Sequence, residues 1–141
     1  MMYKLFKIIS ILALLILAPV SLQADTLYQE LGKAEGITKF VTKAVELYHS
    51  DERLAFLFED VNDEYLIEQL EDHMCNLSGG PCNYEGLDMV SAHSGLEITK
   101  AEFDIFVEIF IDALEYAEIP HSTRYKLLAL LAPMRKDIIH Q

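Results

Sequence analysis

Positive charge is scarce in this chain. Eleven lysines and arginines stand against twenty-three aspartates and glutamates, a net charge of −12. So acidic a surface repels phosphate backbones and argues against nucleic acid as a partner. Most of these charges read as the solvated faces of helices, so they exclude more than they suggest. Tryptophan is missing, and cysteine occurs only as Cys75 and Cys82. Alternation of apolar and polar residues is missing as well: no stretch reads as a half-buried strand, which predicts an all-α fold. The one long apolar run, Ile8 to Leu17, is shorter than a membrane span requires.

That run belongs to a leader. Lys4 and Lys7 precede it and small or polar residues follow it, the layout of a secretory signal peptide over residues 1–24. Cleavage after Ala24 would leave Asp25 first, and retention as an anchor is the alternative because Leu22 fits a cleavage site imperfectly. The remainder, residues 25–141, is one small domain of 117 residues. Losing two lysines takes its net charge from −12 to −14. Export, to the periplasm, and no stable membrane association after cleavage are the expectation. In such an oxidising space Cys75 and Cys82 are expected to bridge, across a segment that Gly79, Gly80 and Pro81 can turn sharply. Free buried thiols and metal ligation are the alternatives.

Along the domain, Thr26 and Gln29 form a capping pattern for a short helix ending at Gly32. Ile37, Phe40, Val41, Ala44, Val45 and Tyr48 recur at the spacing of one helical face. After an apolar cluster, "RLAFLFEDV", Asn62 or Asp63 caps a helix running to about Leu77, with Leu66, Ile67, Leu70, His73, Met74 and Leu77 inward. Residues 83–98 form a long loop with at most a short helix around Asp88 to His93. Loops of this length tend to be functional or disordered, and apolar Met89, Val90, Leu96 and Ile98 argue against disorder. Thr99 and Glu102 cap a helix whose inner face is Phe103, Phe106, Val107, Phe110, Ile111 and Leu114. A last helix from about Ser122 to Ile139 carries Tyr125, Leu128, Leu131, Ala132, Arg135 and Ile138 at helical spacing and is kinked by Pro133.

The chemistry centres on His93. A histidine near apolar residues is commonly just a packed side chain. This one lies between two helices offering Phe103, Phe106 and Phe110 on one side and Leu66, Leu70 and Met74 on the other. Such a slot suits a flat apolar cofactor held by one axial imidazole. A zinc site from His73, Cys75, Cys82 and His93 has the right count but not the spacing, since structural sites take paired ligands from a tight knuckle.

These residues resemble the group I truncated haemoglobins over essentially the whole of residues 25–141. The likeness runs through "LYQELGKAEGI", "DERLAFLF", "LSGGPCNYEGLDMVSAHSGLEIT", "FDIFVEIFIDAL" and "LLALLAPMRKDII". The resemblance implies a two-over-two helical sandwich around haem b, with His93 as proximal iron ligand and Phe58 on the haem face. Met89, Phe103, Phe106 and Leu131 then line the pocket, with Leu66, Leu70 and Met74 from the other helix. Such proteins bind diatomic gases (oxygen, CO, NO), and a reductase is the implied partner.

On the distal side the chain departs from the family. Many members place a tyrosine and one or two glutamines there to donate hydrogen bonds to bound dioxygen; aligned without gaps, this chain has Val45, Leu66 and Leu70. A hydrogen bond to a charged acceptor is worth about 1.5 to 3 kcal/mol, roughly ten- to a hundred-fold in affinity, so oxygen retention is expected to weaken. Tyr48 and Gln69 are the nearest substitute donors, although both read more simply as helix-edge residues reaching solvent. His73, one turn after Leu70, could serve as a sixth ligand; the simpler reading puts it under the helix end near the Cys75 loop. The leading expectation is reversible ligand binding. Nitric oxide dioxygenation or peroxide handling is the alternative, disfavoured by an apolar distal side. A haem-free helical interaction module is the third.

Overall fold

The computed structural model describes residues 24–141, so the leader expected over residues 1–24 lies, but for Ala24, outside the described residues. Among them are six α-helices, two 3-10 segments and no strand, as expected for an all-α chain. The helices are α1 (Leu27–Glu30), α2 (Lys33–Ser50), α3 (Asp63–Leu77), α4 (Met89–His93), α5 (Lys100–Tyr116) and α6 (His121–Leu131). Short 3-10 segments cover Ala55–Leu57 and Ala132–Asp137. No helix of the described residues is long and apolar enough to cross a membrane.

Local chemistry sets the helix starts. Thr26 Oγ1 accepts from Gln29 N while Gln29 Oε1 accepts from Thr26 N, and Thr99 and Glu102 repeat this reciprocal box at α5. Asn62 accepts from Tyr65 N at 2.8 Å to open α3, where Asp63 and Glu64 complement the positive end of the helix. Each box satisfies donors that the first helical turn leaves free.

Helix α2 is the spine, packed against α3 on one side and α5 on the other. Its buried residues are the six expected: Ile37, Phe40, Val41, Ala44, Val45 and Tyr48. Phe40 meets Phe110 of α5 edge to face, centroids 5.7 Å apart. Leu31, Leu54, Leu114 and Leu127 complete a core from which water is excluded. Burying each such side chain stabilises by about 1.5 to 3 kcal/mol before chain entropy is counted. Glu30 ties α1 to α6: its carboxylate accepts from Lys126 Nζ at 2.6 Å and from the buried Thr123 hydroxyl at 3.0 Å. The Lys126 contact first, then Thr123, holds the Glu30 carboxyl below its usual range.

The C-terminal helix differs from expectation. It does not continue to Ile139 with a kink; α6 ends at Leu131 and the chain tightens into a 3-10 segment containing Pro133. Proline lacks the N–H that an α-helix needs there, and its ring collides with the preceding turn. The inward face is also rotated. Tyr125 is 61% exposed, whereas Thr123 and Leu127 are buried. In α5 the fully buried residues are Ile109, Phe110, Ala113 and Leu114, with Val107 and Ile111 only half-buried. The α5 residues seen to meet α2 are Phe106, against Tyr48, and Phe110, against Phe40.

Candidate functional site

His93 is the last residue of α4, a helix too short to be stable alone. It is held from both ends. Asp88 caps it, accepting from Ser91 N at 2.9 Å and from Ser91 Oγ at 3.1 Å, and Tyr84 Oη donates to Leu87 O at 2.7 Å just upstream. Downstream, the C-terminus returns as a strap: Gly95 N and Glu97 N donate to Gln141 O at 3.0 and 3.1 Å, and His140 N donates to Ile98 O at 2.9 Å. Within α4, His93 Nδ1 lies 2.7 Å from Met89 O. A carbonyl only accepts, so in the neutral ring Nδ1 carries the proton and Nε2 keeps its lone pair. That is the ring state a metal ligand needs, oriented by a backbone partner.

The apolar residues expected around His93 form a region unlike the core. Phe58, Leu70, Phe106 and Leu131 are half-buried and lean on the core cluster. Leu66, Met89 and Phe103 are half-buried but stand outside that cluster. Met74 is the exception, 3% exposed and part of the core itself. Arg135 covers one face of Phe103 at 4.7 Å and pairs with Asp104. Half-covered apolar side chains on α3, α4 and α5, together with a histidine whose second ring nitrogen keeps its lone pair, have the chemistry that suits a flat apolar group with one metal centre.

Of the three residues expected on the distal side, Val45 is buried and Leu66 and Leu70 are half-buried. None of the three can donate a hydrogen bond. Gln69 does not join them. It lines a separate polar cleft with Tyr65, Glu68, Asp72 and Asn83, and its Oε1 lies so close to Gly86 that a Cβ there would meet it at 2.5 Å. Tyr48 corrects the helix-edge reading: it is 1% exposed, its ring stacked between Phe58 (5.2 Å, 6°) and Phe106 (4.4 Å, 12°).

His73 stacks on Tyr84 with centroids 4.7 Å apart, and burial lowers its pKa. Beside it Cys75 and Cys82 are joined as a disulfide, Cα atoms 5.8 Å apart, which fastens the end of α3 to the loop leading to α4. Both sulfurs are bonded to each other, so neither is a thiolate ligand. Gly80 makes this closure possible, since a Cβ there would meet Cys75 Sγ at 2.6 Å. Sequence reasoning singled out His93 but did not anticipate the Asp88–Ser91 cap, the Tyr84–Leu87 contact or the C-terminal strap. The D-x-x-S spacing was a legible cap signal; the strap joins residues too far apart in sequence to leave one.

Comparison with known proteins bears on the family and the fold. Residues 26–140 match the family described as bacterial-like globin. A group 1 truncated hemoglobin of Tetrahymena pyriformis is 25% identical over 115 residues, covering 82% of this chain and 95% of that protein. Another, from Mycolicibacterium paratuberculosis, is 27% identical over 113 residues, 80% of this chain and 83% of that one. Among solved structures, the T. pyriformis truncated hemoglobin in its Fe(III) form superposes with a TM-score of 0.79 at 24% identity, covering 83% of this chain and 100% of that one. The 2/2 hemoglobin of a Synechococcus species, with covalently attached heme, gives 0.76 at 21% identity over 82% and 98% of the two chains. These likenesses show a truncated-haemoglobin fold. The chain belongs to the bacterial-like globins, and a haem-binding role follows from that membership.

Proposed function

We propose that this globin holds haem b through His93 and binds diatomic gases (oxygen, CO, NO) reversibly on the side of Val45, Leu66 and Leu70. The observation that carries the reading is the His93 ring, its Nδ1 proton held by Met89 O and its Nε2 lone pair left for a metal. Haem, when bound, supplies an iron with a coordination position open to a diatomic molecule. Phe58, Phe103, Phe106, Met89 and Leu131 bury the macrocycle and keep water from it. Both cysteines of the chain are engaged with each other, which leaves no thiol for covalent attachment and favours haem b.

The distal side is kept dry by three hydrocarbon side chains, so a polar ligand finds no donor on them. His73 is read as an anchor for the loop, through its stack on Tyr84, rather than as a sixth ligand. Reversible binding also needs a reductant that keeps the iron ferrous, and we assign that part to a separate reductase. The basic and apolar leader, with the disulfide, supports export to the periplasm with cleavage after Ala24; a mature mass beginning at Asp25 would confirm it.

The test is spectroscopic. Wild type and His93→Ala, each mixed with haem, are compared in the visible region in the ferrous state. The reading expects a histidine-coordinated spectrum in wild type that is lost in the variant and restored by added imidazole. Identical coordinated spectra in both would assign the ligand elsewhere.

A further inference from the structure

Tyr48 is the one buried tyrosine of the described residues whose hydroxyl has no hydrogen-bond partner. Leaving a buried hydroxyl unpaired costs about 1 to 3 kcal/mol, and native proteins keep few such groups without a reason. Replacing tyrosine by phenylalanine would remove that cost while keeping the ring, so packing alone does not explain the oxygen atom. Its position narrows the explanation. The ring stacks on Phe58 and Phe106, two residues assigned above to the haem pocket, and stands one helical turn after Val45, so α2 presents both residues on the same face.

We propose that Tyr48 is the distal hydrogen-bond donor of this globin, supplying from one turn further along α2 what Val45, Leu66 and Leu70 cannot. The inference rests on the haem reading above and assigns the polar ligand interaction within that site. Burial holds the phenol neutral far above its usual titration range, so it remains a donor at any working pH. The stack on both faces fixes the ring, and a fixed donor loses little entropy when a ligand arrives. Dioxygen bound to ferrous iron carries partial negative charge and gains from such a donor, whereas carbon monoxide gains little. Tyr48 is therefore a residue that discriminates between ligands.

The experiment compares wild type and Tyr48→Phe in two states. In the haem-loaded ferrous proteins, stopped-flow displacement gives dissociation rates for dioxygen and for carbon monoxide. The proposal expects dioxygen to leave about 10 to 100 times faster from the variant, the range set by one hydrogen bond to a charged acceptor, with carbon monoxide changed less than about twofold. In the haem-free proteins, the thermal midpoint of Tyr48→Phe should equal or exceed that of wild type, because the hydroxyl has no partner there. Unchanged dioxygen dissociation would overturn the assignment. A lower midpoint for the haem-free variant would overturn its premise, since the hydroxyl would then have a partner without ligand. Failure of wild type to take up haem would refute the parent reading instead, and the absorbance spectrum separates that result from the others.

Discussion

Two regions of this molecule are built from the same kinds of side chain and finished differently. Around α2, Leu31, Phe40, Leu54, Leu114 and Leu127 are sealed from solvent by other protein atoms. Among the residues assigned to the His93 site, Leu66, Leu70, Met89, Phe103 and Phe106 are only half covered, and α4 is held by a cap and a strap instead of by a core of its own. A protein that left so much apolar surface half-wet for no reason would forgo stabilisation of about 25 cal/mol per Å². The difference teaches that the first region folds the chain and the second is shaped to be completed by something else.

Substitutions should separate the two. The largest effect is expected from Phe40→Ala, which empties the sealed core: about 3 to 5 kcal/mol of stability lost with or without haem, read from urea unfolding. An equal loss from Phe103→Ala in the haem-free protein would erase the contrast, because Phe103 is half-buried and outside the core cluster. Its cost should instead emerge when haem is bound, as a faster loss of haem to a scavenging apoglobin. Next comes Cys82→Ser. Opening the Cys75–Cys82 bridge releases a short loop and should lower stability by about 2 to 3 kcal/mol, read from urea unfolding.

The smallest effect is one of pH. Burial lowers the His73 pKa from its ordinary 6.5, so the folded protein prefers the neutral ring. The unfolded chain takes up a proton first as pH falls. Stability from this source is therefore complete above the ordinary value and is lost as pH drops from there towards the folded value. His73→Leu should flatten the difference between urea midpoints measured at about pH 7.5 and about pH 5.5. A slope unchanged in the variant would place its origin elsewhere.

What the sequence made legible was local. The Thr26–Gln29 and Thr99–Glu102 boxes and the inward face of α2 depend on residues three or four apart, and all appear in the structure. His93 and the half-buried walls followed from pattern together with the family resemblance. What escaped depends on distant parts of the chain. The burial of Thr123 in α6 goes with its contact to Glu30, 93 positions away, which no local periodicity signals. Gln69 turned to the loop because Gly86 leaves room for it there. The periodicity put Tyr48 on the inward face of α2, but its stacking escaped because its two partners lie ten and fifty-eight positions further along.

The claim that the second region is completed by a group bound at His93 is tested most directly by amide hydrogen exchange of wild type with and without haem. Addition of haem should slow exchange by about tenfold or more in α4, in residues 94–99 and at the His140–Gln141 strap, the segments that open locally without it. Exchange in α4 and the strap that is the same in both states would contradict the account.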